Sequence, residues 1–486
     1  MLHVMHTTLT PRGARRASRR PVRRSTSYLL TVTFLAGCGT SADTSESGTG
    51  ATQHRGGGDT ATSVGQTGPA DDARSKPHVI DHLLVTGQSN SVGFAARPPL
   101  TTAQPSANLM FDVGVMTARS CDADGCTEYQ EPSKLVPLVE GDAYFDYPVE
   151  TIASGLANTA AKLTGSSSQL LVSIHGRSGN SYECLRKGGC AFYAGKNYIG
   201  AFDEALRQVA DAKRLVSAQG AVYTVRAVAA IHGESDHYAP PFPIDGTSGS
   251  AASVQNYSDA LLEWQRDYDA SIRAVTGQSE GIPLLVSQMS NWNDRPDSEI
   301  PTYQLDAHTR APGKVVLVGP TYMLPFADDC IHFTSDGERR LGEYFARAYA
   351  SLRAGKWEPL RPLGATLAGD TIRIRFLVPS PPLVLDTEHV TDPGHFGFEY
   401  VDDSGATPEI VEVTVTGPDE VAIKLASAPE PQVIGGHVRY AMRATPYTCP
   451  GPTQGPRGNL RDSDATQSLY GYDLRNWAVH FELPVQ

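Results

Sequence analysis

A hydroxyl, an imidazole and a carboxylate that can be brought into line make a nucleophile, its base and the group that orients the base. Three residues of this 486-residue chain have those types in suggestive settings. Ser89 lies in Gly87-Gln-Ser89-Asn90, directly after the apolar run Val79 to Thr86. Asp329 and His332 lie three residues apart, in Asp329-Cys-Ile-His332, shortly before a strongly helical stretch. A serine hydroxyl needs a base to take its proton, and that base needs a carboxylate to fix its tautomer and stabilise its cation. Alone, a Ser in a polar turn or an Asp-x-x-His pair is an ordinary turn or capping feature. Their joint placement, after the first and the last of a series of strands, points to acyl transfer.

The elements that must position them are legible in the apolar pattern. Five β-branched runs read as strands: Val79 to Thr86, Gln169 to Ile174, Tyr223 to Ile231, Ile282 to Gln288 and Lys314 to Val318. Between them Glu150 to Leu163, Phe202 to Val216 and Ala260 to Val275 carry apolar residues at helical spacing. Strands that are apolar throughout and alternate with helices predict a parallel sheet covered on both faces. The last helix starts with Ser335 and Glu338, read as a capping box, and continues with Leu341, Tyr344, Phe345, Ala348, Tyr349 and Leu352. Residues 78–355 are therefore expected to form a three-layer α/β/α domain with a five-stranded parallel sheet. In such a sheet the site forms outside the carboxyl ends of the strands. The segments leaving those ends are polar: Ser89, then His175-Gly-Arg-Ser-Gly179-Asn-Ser181, His232-Gly-Glu-Ser-Asp236, Ser287-Gln-Met-Ser-Asn-Trp292, and Asp329 to His332.

Beyond Trp357 the periodicity changes. Thr371 to Phe376, Val411 to Thr416 and Val421 to Leu425 alternate strictly, and Tyr440 and Trp477 to Leu483 supply further strand-like pieces. Residues 356–486 are expected to form an accessory antiparallel β-sandwich.

These blocks resemble those of the SGNH (GDSL-like) hydrolases, and among them the sialate O-acetylesterases and carbohydrate esterase family 6, over about residues 80 to 350. The Gly-Gln-Ser-Asn block matches Gly87 to Asn90, which implies Ser89 as nucleophile and its N–H as an oxyanion donor. A second block supplies a glycine N–H, aligned here to Gly179, with Gly176 as the alternative. The final Asp-x-x-His block matches Asp329 and His332. In place of the Gln of a third block stands His232, which the resemblance implies as the remaining oxyanion donor; the Asn donor of the wider superfamily is replaced by Ser235. Glu234 and Asp236 are expected to fix the loop below the site. The resemblance implies a serine esterase acting on acylated carbohydrates, acetyl esters foremost, with no cofactor. A glycan-binding surface protein without activity, or a lipase or thioesterase on the same scaffold, are the competing readings.

No Walker sequence and no dinucleotide fingerprint is present, and no His, Cys and carboxylate cluster has metal-ligand spacing. The chain carries 41 basic and 53 acidic side chains, and seven of its arginines lie between Arg12 and Arg24. The remainder is more acidic still, which disfavours nucleic acid as a partner. That cationic run precedes a short apolar stretch, Tyr28 to Ala36, too short to span a bilayer. It ends in Leu35-Ala36-Gly37-Cys38, which resembles a bacterial lipobox, so residues 1–37 read as a signal peptide and Cys38 as the lipidated residue. Residues 38–77 are nearly devoid of apolar side chains and read as a flexible tether. An exported protein, anchored to the cell envelope by lipid alone, is the expectation. Its other six cysteines suit disulfides: Cys121 with Cys126 and Cys184 with Cys190 as short loops, leaving Cys330 for Cys449, one of fifteen arrangements. The Asp122-Ala-Asp124-Gly125 run lacks the acidic ligands of a calcium loop and reads as a turn.

Overall fold

The computed structural model describes residues 78–118, 129–141, 147–165, 168–190, 199–247, 253–429 and 435–486, all in one compact unit. The signal peptide, Cys38, the tether, the Cys121–Cys126 pair and the Asp122 to Gly125 turn lie outside these residues.

The first part runs β1 (Val79–Gly87), β2 (Leu109–Phe111), β3 (Leu135–Pro137), α1 (Ile152–Thr164), β4 (Gln169–Ile174), α2 (Tyr182–Leu185) and α3 (Ala201–Ala218). It continues with β5 (Val222–Ile231), α4 (Glu234–Tyr238), α5 (Tyr257–Thr276), β6 (Leu284–Gln288), α6 (Ile300–Arg310), β7 (Val315–Pro320) and α7 (Ser335–Arg353). The sheet order is β3-β2-β4-β1-β5-β6-β7, with the five expected strands parallel and adjacent. β2 and β3 extend one edge, β3 antiparallel to β2. At three residues each they are too short to leave an alternating signature in the sequence.

Side chains of one strand enter two separate cores, which is why the strands are apolar throughout. Leu83 and Val85 of β1 join a cluster with Leu156 of α1 and Phe345 of α7, while Leu84 joins another with Phe202 of α3 and Trp264 of α5. α1 and α7 approach closely at two glycines. A Cβ on Gly155 would lie 2.2 Å from the Arg339 carbonyl oxygen, and one on Gly342 would lie 2.4 Å from that of Ile152. This contact seats α7, and with it the loop that precedes it.

The start of α7 differs from the expected capping box. Thr334, one residue earlier, is the cap, its Oγ1 accepting from the Gly337 amide at 3.2 Å. That shifts Glu338 past the position from which it could reach back, and its carboxyl is buried instead. Ser335 Oγ donates to the Pro98 carbonyl at 2.7 Å.

After residue 360 the chain forms antiparallel sheets. Its strands are β8 (Arg361–Ala368), β9 (Thr371–Leu377), β10 (Val384–Leu385), β11 (Phe398–Val401) and β12 (Ile410–Val415). β13 (Glu420–Leu425), β14 (His437–Tyr440), β15 (Leu460–Arg461) and β16 (Phe481–Pro484) complete them. They pair as β12-β13-β9-β8, β11-β14-β16 and β10-β15. Ile372, Ile374 and Ile423 from the first sheet meet Phe398, Val438 and Phe481 from the second in one cluster, which Tyr322 also enters. Among the described residues two disulfides are present, Cys184–Cys190, as its short spacing suggests, and Cys330–Cys449, the pairing that remained. The second ties the loop before α7 to the segment between β14 and β15. Among the described residues no helix is long and apolar enough to cross a membrane.

Candidate active site

β1 ends in a turn that only glycine permits. Gly87 has φ +132°, and a Cβ there would lie 2.0 Å from the Ile231 carbonyl oxygen of β5. The chain then enters a short 3-10 turn, Ser89–Val92, whose first residue presents its hydroxyl at the sheet's carboxyl edge. The loop after β4 is fastened beside it, with the His175 amide donating to Val85 O and the Arg177 amide to Gly87 O, each at 2.9 Å. Gly176 packs so tightly that a Cβ would meet Ser91 Oγ at 2.0 Å. The Arg177 guanidinium holds the loop from its other side through Gly176 O at 2.9 Å and buried Glu204 at 2.5 Å.

Ser89, His332 and Asp329, 240 or more residues apart in the case of Ser89, come into line here. His332 Nδ1 donates to Asp329 Oδ2 at 2.7 Å. A carboxylate partner leaves the Nε2 lone pair facing outward in the neutral ring, and it accepts from the Ser89 hydroxyl at 2.7 Å. Asp329 Oδ1 accepts from the amides of Ile331 and His332, at 3.1 and 3.0 Å. Burial raises the Asp329 pKa, but the bonds from the His332 ring and from these two amides outweigh it and hold the carboxyl at about 2. The ring of His332 lies 4.3 Å from that of Phe94, and its side chain is 13% exposed against 38% for Asp329. The site opens on the base and its partner while Ser89 is 5% exposed.

A second layer of polar side chains fixes the loop. Asn90 Nδ2 and Asn291 Nδ2 both donate to Ile331 O, at 3.3 and 2.7 Å, and both also donate to Glu234 Oε1. Asn90 Oδ1 receives the Phe333 amide at 3.3 Å. The backbone on either side of His332 is thus pinned by residues from the ends of β1, β5 and β6. Glu234 and Asp236 lie under the site, as expected: Asp236 Oδ2 accepts from the Tyr182 amide at 2.9 Å, and burial raises its pKa to about 7. Asn291 is a site residue to which the sequence assigns no role. Its one signal is a polar side chain just beyond the carboxyl end of an otherwise apolar strand.

The expected oxyanion donors fare differently. Among the described residues the amides of Ser89 and Gly179 donate to no protein acceptor, so both are free for a ligand. Gly179, at φ +71°, has open space around its Cα. His232, by contrast, is a correction. Its Nε2–H donates to the Asn180 carbonyl at 3.1 Å, with Asp236 Oδ2 3.3 Å away, and its Nδ1 accepts from Tyr257 Oη at 2.8 Å. Both ring nitrogens are committed, and burial lowers the ring's pKa to about 4, so it carries no spare donor. His232 instead anchors the carbonyl of Asn180, the residue after Gly179. Ser235 offers its amide to Gln88 Oε1 at 2.8 Å, inside the fold.

No protein-family model and no curated protein matches the chain. Solved structures do. A carbohydrate acetylesterase from Xanthomonas citri superposes with a TM-score of 0.50 at 14% identity, covering 83% of this chain and 80% of that one. A carbohydrate acetylesterase from Sinorhizobium meliloti gives 0.30 at 12%, covering 56% and 99%. An aryl esterase from M. smegmatis gives 0.28 at 10%, also covering 56% and 99%. The first of these likenesses is one of fold: a mixed α/β architecture with a largely parallel central sheet and separate antiparallel sheets.

Proposed function

We propose that the chain is a serine esterase of the SGNH kind that removes acyl groups, acetyl foremost, from carbohydrates. The observation that carries this reading is the unbroken relay from Ser89 through His332 to Asp329, both links 2.7 Å long. In this mechanism Ser89 Oγ attacks the ester carbonyl as its proton passes to His332 Nε2. The charge on the carbonyl oxygen is received by the amides of Ser89 and Gly179, each such donor being worth about 10²–10³ in turnover. His332 returns the proton to the sugar oxygen as its bond to the carbonyl carbon breaks, so that the sugar leaves as a free hydroxyl and the acyl group remains on Ser89. A water molecule, deprotonated by the same imidazole, then releases the acid. Asp329 holds the imidazole in the required tautomer throughout. His232 holds the carbonyl of Asn180, the residue after Gly179.

The substrate class is supported by the fold shared with a carbohydrate acetylesterase. In the same reading residues 78–355 are a three-layer catalytic domain and residues 356–486 a β-sandwich accessory. The chain is exported and held at the envelope through a lipid on Cys38, the intact mass of the membrane-fraction protein being the check: a soluble product cleaved elsewhere, without lipid mass, would refute the anchor. Ser89→Ala tests the chemistry. It should lower turnover of p-nitrophenyl acetate by at least about 10⁴ while leaving the melting temperature unchanged, and abolish acetate release from acetylated glycans. Normal turnover in that variant ends the proposal.

A further inference from the structure

Two further Asp-x-x-His spacings follow in the chain, Asp386 with His389 and Asp392 with His395, and the first is bonded like Asp329 and His332. Asp386 Oδ1 accepts from the amides of Glu388 and His389 at 3.0 Å each, and His389 Nδ1 donates to Asp386 Oδ2 at 3.0 Å. The local geometry repeats that of Asp329 and His332, yet the surroundings differ. His389 faces a cavity of about 480 Å³ between the start of α7, the Leu324–Pro325 segment and the chain after β15. Among the described residues no serine, threonine or cysteine lines that cavity, so the imidazole has no nucleophile to activate.

We propose that this cavity is a second, non-catalytic site that holds a neutral sugar unit of the glycan beside the catalytic loop. The choice of a glycan rests on the esterase reading above; the chemistry of the walls supports it independently. Tyr344 and Trp477, both nearly buried, and Tyr472, one face of which carries the Arg340 guanidinium at 4.0 Å, line the cavity and leave a limited aromatic surface for the C–H face of a sugar ring. His389 Nε2 and Asp473 Oδ2 stand 3.9 Å apart, too far to bond one another and suited to two neighbouring hydroxyls of one ring. The charges are already matched within the wall. Arg340 Nε pairs with Asp336 Oδ2 at 2.8 Å, and Arg475 Nη2 with Asp473 Oδ2 at 2.6 Å. A phosphate or a sugar acid would have to break one of those pairs, whereas a neutral polyol need not.

Its position links it to the chemistry. Asp336 is four residues beyond His332, so their Cα atoms are at most about 14 Å apart. Pro452, on the opposite wall, is three residues beyond Cys449, and Cys449 is bonded to Cys330 of the catalytic loop. A chain of a few sugar units bound in the cavity could therefore present an ester to Ser89.

Calorimetric titration of xylohexaose, cellohexaose and mannohexaose into the full-length Ser89→Ala protein tests this without turnover. At least one should bind with a Kd below about 1 mM. Adding His389→Ala or, separately, Asp473→Asn should weaken that binding by about tenfold or more, the loss of a hydrogen-bond partner. His389 is 46% exposed at its side chain and Asp473 25%, so both variants should fold, and a melting curve checks each. Should one misfold, the other decides. Absence of binding by all three oligosaccharides, binding that the substitutions leave intact, or tighter binding of hexagalacturonate would each overturn the proposal. Failure of the esterase reading is seen elsewhere, as absent hydrolysis of p-nitrophenyl acetate by the wild type.

Discussion

Replacing Cys330 and Cys449 together by Ala should weaken both the fold and the catalysis. The bridge closes a loop whose ends are 119 residues apart in sequence. By loop-closure entropy a cross-link of that span destabilises the unfolded chain by about 5 kcal/mol. The Cys184–Cys190 bridge, with a separation of 6, gives only about 2 kcal/mol by the same relation. Denaturant unfolding of the two double variants should therefore show the larger loss for Cys330→Ala/Cys449→Ala, by about 3 kcal/mol, provided each unfolds in a single transition. Catalysis adds a second readout. Cys330 sits between Asp329 and His332 with φ +64°, so the bridge holds the peptide on which the relay depends. Small misplacements of catalytic groups are costly, so kcat on p-nitrophenyl acetate should fall by about tenfold or more in the long-bridge variant. It should stay near wild type in the short-bridge one. Equal stability losses in the two variants would refute the entropic origin of the difference. An unchanged kcat would refute the bracing role.

Asn90→Ala removes the bonds to Ile331 O, Glu234 and the Phe333 amide, leaving Asn291 as the remaining tie to that carbonyl. Stability should drop by about 1–3 kcal/mol, and kcat should fall with little change in KM; a pure stability effect would show the network to be architectural only. Glu338 has both carboxyl oxygens buried without a partner, and burial, with Glu140, Glu150 and Glu234 nearby, raises its pKa well above the usual 4.5. A raised pKa means the protonated form is favoured by folding, so this contribution is complete below about pH 4 and is lost as pH rises through the folded value. Wild type should be less stable at pH 9 than at pH 6, and Glu338→Gln should reduce that difference; an unaltered pH dependence in the variant would exclude Glu338 as its source.

The long elements are legible because each has one dominant period. β4 coincides with the expected run, β1, β5 and β6 differ from theirs by one or two residues at one end, and β7 differs by one residue at its start and two at its end. The three-residue strands β2 and β3 leave no periodic trace, since their pairing is set by the neighbouring β4 rather than by their own side chains. The cap of α7 lies one residue from its expected place because Thr334 and Ser335 are both competent caps. Tertiary contact chooses between them: Ser335 is drawn to Pro98, leaving Thr334 to hold the amide. The role of His232 differs from the expected one for a related reason. Type and position make it a plausible donor, but donor capacity is finite, and the sequence does not show that Asn180 and Tyr257 consume it.

Two of the three Asp-x-x-His pairs share one geometry, while at the third, Asp392 and His395, the carboxylate accepts the amides of Gly394 and Phe396. In the first two, one carboxylate oxygen accepts the two amides at the second and third positions beyond it, and the other receives Nδ1 of the histidine. In these two the turn pins an imidazole, and against the effect of burial these bonds, joined at Asp386 by that from Arg461, hold the pKa of both aspartates at about 2. Neither the spacing nor the acidity separates a relay from a binding group. The difference is supplied from outside the turn: His332 Nε2 meets a serine delivered by the glycine-gated end of β1, and Asn90 and Asn291 clamp its backbone. His389 Nε2 meets a carboxylate 3.9 Å away, and its own aspartate is shared with Arg461 at 2.6 Å. In the proposed reading Asp329 and His332 take their role from the strand end they are docked against, which carries Ser89.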